Sequence, residues 1–388
     1  MRILHLTSSI GTEAGGVALT VLDTCKALAL EGITVELLTH NIGTIDLPWK
    51  DNPPPSLTLT LAAAPASDRF SSAEMKRLLP ERIKACDLLH VHGMWQMLNN
   101  RAASIARKLG KPYVCSIHGM LDPWSMSQRR GRKLLYYHLF EKKRLKQAAA
   151  MHFTAEGELK KAVQWVPSGV PTLVVPIIFN LALYLELPER DAAYRYFPQL
   201  PGNVPWVLFL SRLHEKKGLE YLINAMIQLP ASLANAQLIV AGTGEPGYIE
   251  SLKTLTRQLK IESRVHFVGM VQGAAKAALY RTADVLAVPT SQENFGLIFP
   301  EALACETAVM LTVGVDIHRE ILDSGAGYLI RQNASDIAEK LTEALSDRPA
   351  NRRRGAAGRR WVLDTLQPTA IAKRWASIYE SILARTLQ

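Results

Sequence analysis

The sequence predicts an α/β protein with two mainly parallel sheets, one in each half of its 388 residues. Short apolar strands alternate with helical segments along the first half, and the same alternation begins again in the second half. Between the halves, residues 181–203 carry three prolines and a glycine among charged side chains, which is typical of a linker. Because the chain is longer than one ordinary domain, we expect two.

The first half begins with a strand at residues 3–6, followed by a glycine-rich loop between Gly11 and Gly16. Apolar residues at helical spacing start at Val17, and Gly32 should end that helix. Further strands are predicted at residues 34–38, 57–61, 87–92, 113–117 and 151–153. Since helices separate most of them, they should form a series of parallel crossover connections.

The second half has the same organisation. Its strands are predicted at residues 207–210, 237–241, 265–268, 285–288 and 308–312. After Pro368, residues 369–383 have the periodicity of an amphipathic helix. We therefore place one domain at residues 1–180, the linker at 181–203, the second domain at 204–365 and a final helical segment at 366–388.

The bulk composition narrows the class of protein. A formal net charge of +10 favours acidic partners such as nucleotide phosphates or anionic lipids, and no RNA-binding signature is present. The four cysteines are scattered without a C-x-x-C pair, so neither a zinc site nor a disulfide framework is implied. Residues 1–7 match a first strand rather than a signal peptide, and no apolar run reaches membrane-spanning length. We expect a cytoplasmic protein.

Residues 291–304 carry the most informative pattern. A buried strand ends at Pro289, a loop containing Glu293 follows, and Glu301 lies in the first turns of the next helix. Ligands of parallel sheets collect outside the carboxyl ends of the strands, where this loop is expected. Carboxylates accept strong hydrogen bonds from sugar and ribose hydroxyls, so both glutamates are candidates to bind one such ligand.

A basic turn and a glycine loop are candidate phosphate sites. Arg212 and Lys217 follow a buried strand and precede a helix, so together they could clamp a diphosphate, whereas Lys216 fits a solvated turn. Gly15 and Gly16 lie before another helix, where backbone N–H groups favour anions. That loop is not a G-x-G-x-x-G fingerprint, and a plain tight turn is the other interpretation.

Histidines and acidic residues end several strands of the first half. His92 and His118 each precede a glycine at a strand's carboxyl end, which favours the ligand face, although a core role is the alternative. Thr154, Glu156 and Glu158 follow the strand at 151–153. Glu156 and Glu158 could cap the next helix, and a binding role on the acceptor side is the alternative that the family resemblance described below implies.

The Glu293–Glu301 pattern resembles the E-x7-E signature of retaining glycosyltransferases of family four, of the bacterial polysaccharide-biosynthesis type. The resemblance spans both halves of the chain. It implies the GT-B fold: α/β, two Rossmann-like domains with a cleft between them, and a C-terminal helix crossing back to the first domain. The family usually has glycine where this chain has Glu306 and proline where it has Ala308.

The resemblance also implies roles. Glu293 and the backbone after it would bind the donor sugar, Glu301 the ribose, and His118 would organise the reacting sugar. The implied catalytic residues are His118, Arg212, Lys217 and Glu293. The implied donor-binding residues are Gly15, Gly16, Gly269, Met270, Asn294, Phe295, Gly296, Leu297 and Glu301. The implied acceptor-side residues are His92, Thr154 and Glu156.

The implied reaction moves a hexose from a nucleotide-diphosphate sugar to a glycan or lipid-linked glycan, by front-side displacement and with retention. A UDP-sugar is favoured over a GDP-sugar. No D-x-D sequence is present, so we expect no metal and no other cofactor, with Arg212, Lys217 and helix dipoles stabilising the departing diphosphate. Two rivals remain: a nucleotide-sugar epimerase on the same fold, and a non-catalytic nucleotide-binding subunit, which Glu306 motivates.

One segment is strongly basic. Residues 129–146 hold eight Lys and Arg side chains against Glu141 alone, with leucines and aromatic residues between them. Two interpretations are equally supported. The segment is a helix with one core face and one solvated face, or it docks on an anionic membrane beside a lipid-linked acceptor.

Overall fold

The computed structural model describes residues 1–11, 15–45, 47, 49, 52–64 and 72–386. It divides into two compact units. Unit 1 comprises Met1–Asn180 together with Leu366–Gln388, and unit 2 comprises Leu181–Thr365. Among the described helices, none is both long and apolar enough to cross a membrane.

Unit 1 contains a seven-stranded parallel sheet of order β3-β2-β1-β4-β5-β6-β7. Its strands are Arg2–Leu6 (β1), Thr34–His40 (β2), Leu57–Ala62 (β3), Leu88–His92 (β4), Tyr113–Ser116 (β5), Ala150–Phe153 (β6) and Thr172–Val174 (β7). Its helices are Gly16–Leu30 (α1), Ala73–Ala85 (α2), Met97–Lys108 (α3), Pro123–Ser127 (α4), Arg130–Tyr136 (α5), Lys142–Lys146 (α6), Glu156–Ala162 (α7) and Pro368–Thr386 (α16), with a π-helix at Tyr137–Glu141 and a 3-10 turn at Val163–Trp165.

Unit 2 contains a six-stranded parallel sheet of order β10-β9-β8-β11-β12-β13. Its strands are Trp206–Leu210 (β8), Gln237–Ala241 (β9), Val265–Gly269 (β10), Val285–Ala287 (β11), Ala308–Leu311 (β12) and Gly327–Leu329 (β13). Its helices are Ala193–Tyr196 (α8), Leu219–Met226 (α9), Pro246–Gln258 (α10), Gly273–Thr282 (α11), Ile298–Ala304 (α12), His318–Asp323 (α13), Ala334–Ser346 (α14) and Arg348–Thr365 (α15), with 3-10 turns at Leu181–Tyr184, Glu215–Lys217, Ala231–Leu233 and Glu262–Arg264.

The predicted parallel α/β sheets are confirmed. The central strands β1, β4, β8 and β9 are buried along almost their whole length, as expected when helices cover both faces of a sheet. Gly32 follows α1 with a φ of +81°, the left-handed conformation that the predicted helix end requires. Strands β7 and β13 were not predicted from the sequence, because they have only three residues each.

Residues 181–203, predicted as a linker, pack on unit 2. The backbone N–H of Ala193 donates to Thr282 Oγ1 at 3.2 Å, and Arg359 donates to the carbonyl of Tyr184 at 2.7 Å. The C-terminal helix α16 instead packs on α1 in unit 1. It buries Trp375 and Tyr379 completely or nearly so.

One of the eight basic side chains counted in the segment at 129–146 is not at the surface. Arg144 is buried and donates from Nε to the equally buried Glu141 at 2.8 Å, so it adds nothing to a surface charge. The π-helix brings Glu141 inward at this point. Leu135, Leu139 and Phe140 face outward, with 62%, 59% and 39% of their surfaces exposed.

Candidate active site

The carboxyl edge of the unit 2 sheet gathers most of the predicted donor site. Strand order reverses there, because the chain runs outward from β8 through β9 on one side and through β11 on the other. The loop after β8 meets the loop after β11 where Ser291 N–H donates to the Lys216 carbonyl at 2.9 Å. Glu293 N–H donates to the Gly314 carbonyl at 3.1 Å, which adds the loop after β12.

An ion pair joins two of the predicted catalytic residues. The Lys217 ammonium is bonded to the Glu293 carboxylate, and only 8% of the Lys217 side chain is exposed. Gly218, next to Lys217, has a φ of +71°, and a side chain there would meet the Pro289 carbonyl at 2.4 Å. Glycine therefore allows the two loops to approach closely enough for the ion pair to form.

Arg212 is the exposed cation of the same edge. It makes no hydrogen bond or ion pair with the part of the chain that the structure describes. Its loop lies beside the end of β9, because a side chain on Gly242 would stand 1.9 Å from the carbonyl of Ser211. Beside the paired Lys217, the described part of this edge thus offers Arg212 as an available cationic side chain.

The turn before α12 presents backbone donors. Gly296 has a φ of +71°, and a β-carbon there would lie 2.9 Å from both Glu293 Cγ and the Phe299 ring, so this position requires glycine. The backbone N–H groups of Phe295, Gly296 and Leu297 donate to no group within the described ranges, as expected ahead of a helix's first turn. They are available to a ligand.

Asn294 is held by its own carbonyl, which accepts from the Asp316 N–H at 3.1 Å. The Glu293 carbonyl accepts from the same N–H, also at 3.1 Å. The turn that carries the predicted sugar-binding residues is therefore tied to the loop after β12 through the Asp316 N–H as well as through the Glu293 N–H.

Glu301 lies on α12 and is 8% exposed. Its Oε2 atom accepts from Tyr280 Oη at 2.9 Å and pairs with Lys276 Nζ at 2.6 Å. Burial, together with the Glu301 charge, raises the pKa of Tyr280, which therefore stays a neutral donor. Neither Lys276 nor Tyr280 was predicted as a site residue. Their i, i+4 spacing on α11 places them on one helix face, but the identity of what that face meets requires the fold.

Gly269 and Met270 end β10 on the same edge. Gly269 has a φ of +74°, and its carbonyl accepts from the Gly242 N–H at 2.7 Å. Met270 follows with 62% of its surface exposed. An exposed apolar side chain at a strand end is compatible with the predicted contact to a nucleotide base.

Glu306 occupies a left-handed conformation, with a φ of +58°, which explains why the resembling family has glycine there. Its carboxylate pairs with Arg281 at 2.6 Å and Arg190 at 3.7 Å. Glu306 therefore forms an ion-pair cluster with Arg281 of α11 and with Arg190 of the segment before β8. Ala308 is a buried residue of β12.

In unit 1, the predicted His92 and His118 belong to a hydrogen-bonded chain of histidines. His5 Nδ1 lies 2.9 Å from His92 Nε2, and His92 Nδ1 lies 3.0 Å from His118 Nε2. All three side chains are buried. We refer to His5, His92 and His118 as the first chain.

A second chain runs beside it through Tyr379, His90, Ser116, His152 and the Val175 carbonyl, with successive distances of 2.6, 2.7, 2.7 and 2.8 Å. The Val175 carbonyl at one end determines the direction in which every hydrogen bond of this second chain is donated. A carbonyl only accepts, so His152 Nε2 carries the proton and its Nδ1 accepts from Ser116. It follows that His90 donates through Nε2 and accepts from Tyr379 of α16.

These histidines are neutral near pH 7. Burial lowers the pKa of His5 and His118 to about 3 and that of His152 to about 4. Burial and the neighbouring histidines also hold the pKa values of His90 and His92 well below the usual range.

Among the described residues, His5, His90 and His92 could offer a metal one nitrogen each within 4.8 Å of one another. Both nitrogens of His90 and both of His92 are already hydrogen-bonded. The donor set therefore fits a hydrogen-bonded network better than a metal centre.

Of the acidic residues after β6, the structure gives Glu158 the larger role. Its carboxylate accepts from the N–H groups of Gly119 and Thr154, each at 2.6 Å, and from Thr154 Oγ1 at 2.8 Å. It thereby holds the His118–Gly119 turn against the start of α7, a variant of helix capping. Glu156 is exposed in the first turn of α7, where its acceptor-side role stays a prediction.

The glycine loop leads into α1. Gly15 has a φ of +68°, and a side chain on Gly15 or Gly16 would meet nothing within 4 Å. No side chain caps α1 within the described residues, and its first turn holds no acidic residue. Its N–H groups and the positive end of its dipole therefore suit an anion. Residues 12–14 of the loop lie outside the described residues.

Comparison with known proteins agrees with this architecture. Residues 15–177 match the family model of the glycosyl transferase 4-like domain, and residues 192–361 match that of glycosyl transferases group 1. The D-inositol 3-phosphate glycosyltransferase of Xylanimonas cellulosilytica is 27% identical over 374 residues, covering 90% of this chain and 87% of the relative. An uncharacterized glycosyltransferase of Methanocaldococcus jannaschii is 34% identical over 290 residues, covering 72% and 71%.

Solved structures show the same fold. Sucrose-phosphate synthase from Thermosynechococcus elongatus matches with a TM-score of 0.77 at 24% identity, covering 99% of this chain and 100% of that chain. Anabaena HepE in complex with UDP matches with a TM-score of 0.80 at 19% identity, covering 98% and 100%. The predicted GT-B class, with two Rossmann-like domains, is confirmed. The chain therefore belongs to the glycosyltransferases described by the group 1 and 4-like family models.

Proposed function

We propose that the protein is a retaining, metal-independent glycosyltransferase that moves a hexose from a nucleotide-diphosphate sugar to a glycan or lipid-linked glycan. The observation that carries this proposal is the Lys217–Glu293 ion pair beside the unpaired Arg212 at the strand-order switch of unit 2. A diphosphate fits both cations, and a carboxylate released from Lys217 fits sugar hydroxyls.

In the proposed reaction, the diphosphate replaces the Glu293 carboxylate as the partner of Lys217. The bond between the sugar's anomeric carbon and the diphosphate breaks, and negative charge grows on the departing phosphate oxygen. Arg212 and Lys217 stabilise that charge more in the transition state than in the bound donor. The acceptor hydroxyl attacks from the leaving group's side, and its proton passes to the phosphate oxygen. No protein nucleophile is needed.

The remaining residues orient the donor. The N–H groups of residues 295–297 and the Glu293 carboxylate bind sugar hydroxyls, and Glu301 accepts from the ribose. Gly269 and Met270 flank the base, the start of α1 at Gly15 and Gly16 takes part of the diphosphate charge, and His118 orients the reacting sugar. On the acceptor side, the exposed Glu156 contacts the acceptor, whereas the buried His92 and Thr154 support that side through His118 and Glu158.

The donor nucleotide is proposed as a uridine diphosphate sugar. Anabaena HepE has been solved with UDP-glucose, whereas a mannosyltransferase of Mycolicibacterium smegmatis, 30% identical over 192 residues, is GDP-mannose-dependent. Thermal stabilisation by UDP-, GDP- and ADP-sugars separates these donors, because a bound ligand raises apparent stability by mass action. Stabilisation by a GDP-sugar alone would overturn the choice of base.

The reaction is tested by donor turnover with and without acceptors. Inositol phosphates and lipid-linked glycans are both suitable, and NMR of the product identifies its anomeric configuration. We expect acceptor-dependent transfer with retention, unchanged in EDTA. Activity lost in EDTA and restored by Mg²⁺ or Mn²⁺ would contradict metal independence. Donor conversion without any acceptor would favour the epimerase, and nucleotide binding without turnover would favour the non-catalytic subunit.

We also propose that unit 1 docks on anionic membranes through a basic and apolar surface at residues 129–146. Leu135, Leu139 and Phe140 are its exposed apolar residues. Its exposed cations are Arg129, Arg130, Arg132, Lys142, Lys143 and Lys146. Each contributes about 1 kcal/mol near an anionic leaflet, and the apolar side chains can enter the interface. A lipid-linked acceptor would be found more quickly there.

Liposome co-sedimentation tests this surface. Binding should rise with anionic lipid, fall with salt, and weaken in the combined Leu135→Ser, Leu139→Ser and Phe140→Ser variant. The matched control is Leu183→Ser, which changes an exposed leucine of unit 2. If the full chain fails to bind strongly anionic liposomes at low salt, a soluble acceptor becomes the better account.

A further inference from the structure

We propose that His92 and His5 are positioning residues that hold His118 in a single tautomer, with its proton on Nδ1. His118 then presents an N–H donor to a ligand oxygen. On the proposed function, on which this step rests, that oxygen is a hydroxyl of the reacting sugar.

The geometry of the first chain allows only two complete proton arrangements. A neutral imidazole has one N–H donor and one bare acceptor nitrogen. His5 Nδ1 faces His92 Nε2, and His92 Nδ1 faces His118 Nε2. Either all three rings carry the proton on Nδ1, or all three carry it on Nε2. A change at His5 is therefore passed through His92 to His118.

His5, at the inner end of the first chain of histidines, selects between the two proton arrangements. His5 Nε2 is buried and has no partner among the described residues. The Nε2 arrangement would leave an N–H orphaned there, and orphaned buried N–H groups are rare in proteins. The Nδ1 arrangement leaves a bare nitrogen at that point instead. It also directs both internal N–H bonds outward, toward His118.

The outer end is open to a ligand. His118 Nδ1 makes no hydrogen bond with the described residues, and it is not one of the buried polar atoms that lack a partner, so it faces accessible space. His118 has a φ of +53°, and the Glu158 carboxylate fixes the next N–H, that of Gly119. The ring is thus held from both its backbone and its Nε2 atom.

The second chain provides an internal reference with the opposite tautomer. The Val175 carbonyl requires His152 to carry its proton on Nε2, and the same direction assigns Nε2 to His90. Two neighbouring groups of buried histidines should therefore differ in which nitrogen is protonated. That difference can be measured without any assay of catalysis.

The test is a long-range ¹H–¹⁵N correlation spectrum of the full chain with ¹⁵N-labelled histidine, at pH 7.5. Single His→Asn variants assign the rings. We expect His118, His92 and His5 to have protonated Nδ1 atoms, and His90 and His152 to have protonated Nε2 atoms. A protonated Nε2 on His118 would overturn the proposal.

Two variants of His5 then separate positioning from packing. Asparagine can donate near the position of the Nδ1 atom, so His5→Asn should keep the His118 tautomer. His5→Leu should leave His118 as a mixture of tautomers. It should lower kcat about tenfold, the effect expected from losing one hydrogen bond, while the donor KM stays within twofold of the wild-type value. A loss of kcat with unchanged His118 nitrogen shifts would assign His5 a structural role only. Predicted tautomers without transfer from any donor would instead defeat the proposed function alone.

Discussion

The carboxyl edges of the two sheets are lined by opposite kinds of side chain. In unit 1 the edge is lined by neutral, buried histidines whose hydrogen bonds are mostly made within the protein. In unit 2 it is lined by charged side chains, with Lys217 bonded to Glu293 and Lys276 to Glu301. Neutral groups that satisfy each other keep their shape, whereas paired charges can exchange partners when a charged ligand arrives.

This contrast predicts that acid destabilises unit 1 selectively. The folded-state pKa values of its histidines lie below the unfolded value, so stability is present above pH 6.5 and is lost as pH falls toward 3 or 4. The raised pKa values of Asp23 and Glu158 oppose this loss without cancelling it. Each histidine whose folded-state pKa is near 3 or 4 contributes about 1.4 kcal/mol of this loss at pH 5.5, one unit below the unfolded pKa.

Hydrogen exchange measured peptide by peptide at pH 7.5 and 5.5 tests the selectivity, after correction for the intrinsic exchange rate. Peptides from β1, β4 and β6 should lose protection before those from β8 and β9. Within the described part of unit 2, His266 is the histidine with a lowered pKa, and it is only partly buried. An equal loss of protection in both units would mean that the histidines do not control acid stability.

Features set by local sequence could be predicted, whereas contacts between residues distant in the sequence could not. Strand identity and the position of Glu293 were predictable, because apolar runs and a proline-ended strand are local signals. The histidine chains were not, since they arise from the register that places His5 beside His90 and Ser116 beside His152. Histidines within otherwise apolar strands were the one available signal. Lys276 was missed because its contact with Glu301 depends on how helix α11 packs against helix α12.

On the charged edge, Lys217→Met should have the largest catalytic effect. It removes a cation that helps most as the diphosphate departs, so turnover should fall about 10²–10³-fold while donor affinity changes less. The neighbouring Lys216→Met is the matched control, because Lys216 bonds to Gln292 rather than to a carboxylate of the motif. Steady-state kinetics decide the matter. A raised KM with intact turnover would show that Lys217 only binds the donor.

A smaller effect is expected for Glu301→Ala, which removes the proposed ribose acceptor. Losing a charged hydrogen bond costs about 1.5–3 kcal/mol, so affinity for the nucleoside diphosphate and for the intact donor should fall together. Isothermal titration measures both. Tyr280→Phe is the companion variant, since it removes only one bond to Glu301 and should weaken binding less. Unchanged affinity for both ligands in Glu301→Ala would exclude the ribose role.

The exchange of partners at Lys217 is the central claim, and Glu293→Gln tests it through the sign of two affinities. If the Glu293 carboxylate competes with the diphosphate for Lys217, removing its charge should tighten binding of UDP without a sugar. The same change should weaken binding of the intact donor, whose sugar hydroxyls lose a charged acceptor. Titrations of the two ligands into the full chain, at one pH and salt concentration, give both values. Weaker binding of UDP in the variant would contradict the exchange.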